Sequence, residues 1–217
     1  MTPGEPLIRW DWLFSHLPEI GQRLQEHLVL AGLAVTIGFV LSFLLSLAIR
    51  RTPALYAPVT WVTGTLYTIP SLALFAMLIP FTGLSIITAE IGLVGYTLLI
   101  LVRNMVGGLR SVPPEAREAA LGMGYTSSQL LWRVELPLAL PVIIAGLRVT
   151  VVSTIGLTTV TALIGQGGLG FFILDGIQRF FSTPLIIGAV LSVGLAVGAD
   201  LLLLALQRWA TPWAAGR

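Results

Sequence analysis

The chain has 217 residues, of which 56% are hydrophobic and 10% are charged. Soluble domains carry about 25% charged residues, so this composition, with a mean hydropathy of +0.93, indicates an integral membrane protein. The absence of cysteine excludes disulfides and thiol chemistry, and a net charge of +2 carried by scattered arginines argues against a nucleic-acid-binding surface.

The N-terminal segment, residues 1–27, begins MTPGEPLIRWDWLF and lacks the basic and apolar regions of a cleavable signal peptide. Its apolar residues then recur at helical spacing (Trp10, Leu13, Leu17, Ile20 and Leu24). This pattern predicts either an amphipathic helix lying on the extracytoplasmic membrane surface or a helix packed on the rest of the protein.

Five apolar segments reach the ~20 residues that a transmembrane helix needs. They cover residues 28–49, 57–80, 86–108, 138–164 and 185–206. The sequence therefore predicts an all-α integral membrane protein with about five transmembrane helices in one domain, residues 28–217. Because arginines concentrate in cytoplasmic loops, an N-out, C-in orientation is favoured, which places nine of the 12 arginines inside (Arg50, Arg51, Arg103, Arg110, Arg117, Arg133, Arg148, Arg208 and Arg217).

A polar block, residues 109–137, separates the third and fourth segments and becomes a cytoplasmic loop in that orientation. Ser111 is suited to cap a helix that starts at the following prolines. Gly124 is suited to end this helix in a left-handed conformation. Thr126 and Gln129 have the spacing of a capping box that starts a second helix. The block is thus predicted to be two short helices around a glycine turn, which either pack under the bundle or dock a partner.

The same block carries a spaced motif: Glu118-Ala119-Ala120, three residues, Gly124, nine residues, then Val134-Glu135-Leu136-Pro137. This spacing resembles the EAA loop of bacterial ABC importer permeases, with Val134 in place of isoleucine. The resemblance implies a coupling helix, residues 115–126, that seats in a groove of a cytoplasmic ATPase subunit. The implied coupling residues are Glu115, Glu118, Ala119, Ala120, Gly122, Gly124 and Pro137.

Four further stretches are similar to one subfamily, the importers of glycine betaine, choline, carnitine and proline betaine. They are TIPSLALF (68–75), RNMVGGL (103–109), RVELPLALPVIIAGLRV (133–149) and ALIGQGGLG (162–170). The resemblance implies a multi-pass subunit of the bacterial cell membrane that works with an identical or paralogous second permease, two ATPase subunits and an extracytoplasmic substrate-binding protein. Permeases for methionine share parts of the pattern, so another small zwitterion stays open as substrate.

No enzymatic activity is predicted for this chain. It has no GxxxxGK[ST] phosphate loop and no visible cluster of metal ligands or nucleophile–base pair, so ATP and Mg²⁺ are expected only in the partner ATPase subunits. A membrane scaffold without transport activity is the alternative from another class, and the spaced EAA motif argues against it.

Polar residues at membrane depth are candidates for a translocation pathway. They are Tyr67, Pro70 and Ser71 in the second segment, Thr154 and Thr158 in the fourth, and Asp200 in the fifth. Pro70 is expected to interrupt its helix, and Tyr67 can offer a ring face to a quaternary ammonium. The alternatives are close helix packing for the hydroxyls and a structural ion pair for Asp200, with Arg148 or Arg103 as partner.

Two outer features complete the prediction. The glycine-rich run GQGGLG contains Gly165, Gly167, Gly168 and Gly170, which permit tight turns and close backbone approach. It is expected to form an outer gate, a contact with the binding protein, or a re-entrant turn that covers the bundle. Glu90, near the outer end of the third segment, is expected to be solvated.

Overall fold

The computed structural model of the protein describes residues 6–214. Within that range the regular elements are all helical. They are α1 Trp10–Ser15, α2 Leu17–Arg51, α3 Tyr56–Thr68, α4 Ser71–Thr82, α5 Ile86–Arg110, α6 Pro114–Gly122, α7 Ser127–Leu130, α8 Leu136–Thr158, α9 Gly170–Gln178 and α10 Ser182–Ala210. A π-helical turn, Leu131–Glu135, joins α7 to α8, and 3₁₀ turns cover Pro53–Leu55, Thr159–Ile164 and Pro212–Ala214.

The described residues contain four helical segments that are long and apolar enough to cross a membrane, and five if the bent pair α3–α4 counts as one. The pair bends by 98° at Ile69 and Pro70, both of which have extended backbone. Proline lacks the N–H that a continuous helix requires and disfavours helical geometry in the residue before it. The predictions of five spans and of an interruption at Pro70 are therefore confirmed.

The helices run up and down between two ends of the bundle. We call one end the loop end: it contains the C-terminal ends of α2, α5 and α10, together with α6 and α7. We call the other the turn end: it contains residues 165–170 and α9. Helix α5 packs between α2 and α8, and α10 packs on α8 and α9. The centre of the bundle near the loop end is filled by fully buried side chains such as Leu101, Met105 and Ala139.

The second half of the N-terminal segment belongs to the first long helix. Helix α2 is continuous from Leu17 to Arg51, so residues 17–27 are its first turns, and the predicted division at residue 27 falls inside a helix. Their apolar face packs on the bundle, where Ile20 joins Phe172 and Ile187 in one buried cluster. Ile20, Leu13 and Leu24 of the amphipathic pattern thus pack on the protein, whereas Trp10 and Leu17 are exposed.

The extended residues before α1 are tied to the start of α10 at the turn end. The backbone N–H of Arg9 donates to Thr183 Oγ1 at 3.0 Å, and Ser182 Oγ donates to the carbonyl of Leu7 at 2.8 Å. Beside them, the Trp12 ring meets Phe172 and Phe181 edge-on, with centroids 6.0 and 5.8 Å away. The segment before α1 is therefore joined to the start of α10.

Candidate functional site

The polar block folds as the sequence predicts around its glycine turn. Helix α6 ends at Gly122, and Gly124 follows with a φ of +83°, a conformation that side chains disfavour. The N–H of Tyr125 then donates to the carbonyl of Ala120 at 3.1 Å. Helix α7 starts with the predicted capping box, since the N–H of Gln129 donates to Thr126 Oγ1 and the N–H of Thr126 to Gln129 Oε1.

The predicted capping role of Ser111 is wrong. Pro113 occupies the N-cap of α6, and Ser111 is the C-cap of α5. Its hydroxyl donates to the carbonyl of Gly108 at 2.8 Å, back into α5. Within the described range, no hydrogen bond joins it to the first turn of α6, which Pro113 and Pro114 begin.

Helix α6 presents most of the motif residues to solvent. Glu115, Glu118, Ala119 and Gly122 are exposed, together with Leu121 (54%) and Met123 (68%). Ala120 faces inward and is 1% exposed. The result is a small, partly apolar surface edged by carboxylates. Pro137 lies apart from this surface, at the second position of α8.

Glu135 connects this loop to the bundle, a role that sequence reasoning missed. Its side chain is 6% exposed and lies between two arginines, with Oε2 2.6 Å from Arg50 Nε and Oε1 3.1 Å from Arg117 Nε. Arg50 belongs to α2, and Arg117 belongs to α6. The Nη2 atom of Arg117 also donates to the carbonyl of Leu109 at 2.5 Å. One carboxylate thus joins α6, the end of α2 and the start of α8. Glu135 lies inside the motif at a position that the motif leaves open, and its partners are distant in sequence.

Four of the predicted pathway residues meet around one cavity. A cavity of about 330 Å³ opens beside the break between α3 and α4, and α5 and α8 form its other walls. Tyr67, Pro70, Ser71 and Thr154 all line it. The full lining is Tyr67, Thr68, Ile69, Pro70, Ser71, Tyr96, Thr97, Ile100, Thr150, Ser153, Thr154 and Leu157.

The cavity contains a second tyrosine that sequence reasoning missed. The rings of Tyr67 and Tyr96 have centroids 5.6 Å apart at an interplanar angle of 65°. The Tyr96 hydroxyl donates to the carbonyl of Ile69, at the helix break. The signal available in the sequence was the pairing of an interrupted helix with an aromatic residue in the middle of the next span.

Thr158 and Asp200 lie outside this cavity. Thr158 is fully buried, and its hydroxyl donates to the carbonyl of Thr154 at 2.8 Å, so it serves helix packing. Asp200 forms a bidentate pair with Arg148, with Nε–Oδ1 2.8 Å and Nη2–Oδ2 2.9 Å. Of the two partners considered, Arg148 is confirmed, and Arg103 is exposed. The pair faces a separate, mostly apolar groove of about 1000 Å³ between α8 and α10.

The glycine-rich run is a tight turn packed on α2. Gly165 and Gly168 have φ of +77° and +42°. A Cβ on Gly170 would lie 2.1 Å from the carbonyl oxygen of Thr159, so only glycine fits there. His27, fully buried in α2, contacts this turn, and its Nε2 lies 3.0 Å from the carbonyl of Ile155. The expected tight turn and close backbone approach are confirmed.

His27 differs from expectation. The sequence places His27 ahead of the first apolar segment, yet it lies inside α2, because that helix starts at Leu17. Helix α8 tightens into a 3₁₀ turn at its end, and the N–H of Thr159 donates there to the carbonyls of Gly156 and Leu157. The carbonyl of Ile155 therefore has no donor within the helix, and His27 Nε2 lies 3.0 Å from it.

Glu90 also differs from expectation. Both of its carboxylate oxygens are buried and without a hydrogen-bond partner among residues 6–214, so the expected solvation is wrong.

Comparison with known proteins identifies relatives along nearly the whole chain. The osmoprotectant import permease protein OsmW of Salmonella typhimurium is 41% identical over 192 residues, covering 86% of this chain and 89% of that protein. The choline transport system permease protein OpuBB of Bacillus subtilis is 33% identical, covering 89% of each. The carnitine transport permease protein OpuCB of Listeria monocytogenes is 35% identical, covering 93% and 94%.

Solved structures share the fold. A chain of the MetNI methionine ABC transporter in an inward-facing conformation superposes with a TM-score of 0.79 at 23% identity, covering 87% of this chain and 94% of that one. Residues 25–212 also match a family described as "Binding-protein-dependent transport system inner membrane component". The chain therefore belongs to this family of multi-pass permease subunits of inner-membrane transport systems.

Proposed function

We propose that this chain is the permease subunit of an ATP-driven importer that takes up quaternary-amine osmoprotectants such as glycine betaine, choline, carnitine and proline betaine. The observation that carries the proposal is the set of relatives named for osmoprotectant, choline and carnitine transport. They are 33–41% identical over 86–93% of this chain. The family to which the chain belongs is defined by transport that depends on a binding protein.

In this proposal the loop end faces the cytoplasm and α6 seats on an ATPase subunit. The exposed Glu115, Glu118, Ala119 and Gly122, together with the Gly124 turn, provide the docking surface. The small residues let a partner's surface approach closely, and Glu135 transmits the movement of α6 to α2 through Arg50 and Arg117. ATP and Mg²⁺ are then bound by two such ATPase subunits.

At the other end of the bundle, the turn end faces the substrate-binding protein. The residue 165–170 turn, with Gly165, Gly167, Gly168 and Gly170, is proposed as an outer gate because it packs against α2 and the 3₁₀ turn after α8 at the turn end. The cavity lined by Tyr67, Pro70, Ser71 and Thr154 is proposed as part of the pathway. A second permease chain, identical or paralogous, encloses the pathway from its open side.

Uptake of labelled glycine betaine by cells with the gene deleted and then restored tests the substrate. Unlabelled choline, carnitine and methionine serve as competitors. We expect restored uptake that quaternary amines compete and methionine does not. Restored uptake of methionine, with none of betaine, contradicts the substrate assignment.

The coupling role is tested at Gly124. Gly124→Trp adds bulk to the docking surface and forces a side chain into a positive φ. Gly124→Ala is the matched control, because it meets the same positive φ (+83°) without the bulk of the indole ring. We expect Gly124→Trp to abolish transport at normal membrane levels while Gly124→Ala retains it. Equal loss in both variants contradicts a specific coupling role.

A further inference from the structure

We propose that the cavity beside the break between α3 and α4 is a binding site for a quaternary-ammonium zwitterion within the permease itself, with the ammonium against Tyr67 and Tyr96 and the carboxylate on neighbouring hydroxyls. The proposal rests on the proposed transport function and adds to it a site inside the bundle.

The two rings form an aromatic corner of fixed geometry. Their centroids are 5.6 Å apart and their planes meet at 65° in a T-shaped pair. A cation bound beside this pair is attracted by a ring face within ~6 Å of its centroid. The hydrogen bond from Tyr96 to the Ile69 carbonyl fixes one ring against the helix break. Tyr67, which also lines the cavity, is 42% exposed, so part of its side chain is accessible from outside. The corner is thus built before a ligand arrives.

Hydroxyl groups supply the other half of the site. In the described part of the chain, Thr97 and Thr150 donate to carbonyls within their own helices, at 2.7 and 2.9 Å. Ser71, Ser153 and Thr154 also line the cavity, and their hydroxyls have no such bond among residues 6–214. A carboxylate requires donors, and these three hydroxyls are available to provide them.

The charge of the lining selects the kind of cation. Among the cavity's lining residues, all within the described range, there is no Asp, Glu, His, Lys or Arg. A primary ammonium brings three N–H donors that need acceptors once water is removed. A quaternary ammonium brings none, so ring faces alone can receive it. The same neutral lining favours a zwitterion over a simple cation. The ring faces attract the positive charge of the ligand, and the hydroxyl groups donate hydrogen bonds to its carboxylate.

The size and depth of the cavity agree with a small solute in transit. Its volume of about 330 Å³ is at the low end for small-molecule sites. Tyr96 lies near the middle of α5 (Ile86–Arg110), and a broken helix at mid-depth is where transporters place substrate. Two rings form an incomplete cage, which suits a site that must release its ligand.

The test uses the complete importer reconstituted in vesicles with saturating loaded binding protein, and compares Tyr67→Phe, Tyr67→Leu and Trp61→Leu. Trp61 is a matched control in α3, 72% exposed and outside the cavity. We expect betaine transport per ATP hydrolysed to fall about 10-fold in Tyr67→Leu and less than about 3-fold in Tyr67→Phe. Trp61→Leu is expected to match the wild type.

A second measurement isolates the ring face from folding effects. Phenylalanine with one, two or three fluorines at position 67 keeps the ring's shape while weakening its attraction for cations. A stepwise fall of the betaine rate with fluorine number supports the site, and an unchanged rate across the series overturns it. A wild-type importer that transports no quaternary amine refutes the proposed function instead, so the two failures are distinguishable.

Discussion

Replacing Glu135 by glutamine tests whether one carboxylate holds the loop end together. The substitution keeps the shape and removes the charge that pairs with Arg50 and Arg117. Removing one partner of a fully buried ion pair costs about 3–5 kcal/mol. The arginine side chains are 21% and 33% exposed, so solvent screens part of the interaction. We therefore expect a loss of about 2 kcal/mol in the free energy of unfolding.

That loss corresponds to a thermal midpoint about 4–8 °C lower for a chain of this length, measured on the purified chain in detergent. Glu118→Gln is the matched control, because Glu118 is exposed and forms no ion pair among residues 6–214. We expect Glu118→Gln to keep the wild-type midpoint. A Glu135→Gln midpoint equal to that of the control would refute the reasoning.

Three further variants test the turn end and the ion pair. Gly170→Ala is expected to lower the free energy of unfolding by about 3 kcal/mol, because the added Cβ overlaps the backbone carbonyl of Thr159. Gly194→Ala, where the added Cβ meets open space, is the control and is expected to leave the thermal midpoint unchanged or to raise it. His27→Ala is expected to cost about 2–4 kcal/mol by leaving a buried carbonyl without a donor. Arg148→Gln alone is expected to destabilise more than the double variant Arg148→Gln/Asp200→Asn, and the reverse order contradicts a structural pair.

Local chemistry explains what the sequence predicted well. The break at Pro70, the left-handed Gly124 and the Thr126 capping box each depend on residues within three positions of one another. Their outcome is decided by backbone sterics and short hydrogen bonds, which neighbouring side chains determine. The five spans follow from apolar length in the same way.

Contacts between distant residues explain what the sequence missed. Glu135 and Arg50 are 85 positions apart, and His27 reaches the carbonyl of Ile155 across 128. Hydropathy cannot report such partners. It placed the first boundary at residue 28, where polar residues stop, although the helix itself starts at Leu17. The misplacement of Ser111 has a local cause, because α5 extends to Arg110 and Ser111 closes that helix before α6 begins.

The tie between Leu7, Arg9 and the start of α10 has a consequence for the order of biogenesis. The two hydrogen bonds join residues 174 and 175 positions apart, so the ribosome synthesises Ser182 and Thr183 long after Leu7 and Arg9. At about 5–20 residues per second, roughly 9–35 s of synthesis separate them. During that interval water must satisfy the N–H of Arg9 and the carbonyl of Leu7. The tie can close only after the start of α10 has been made and has reached the turn end.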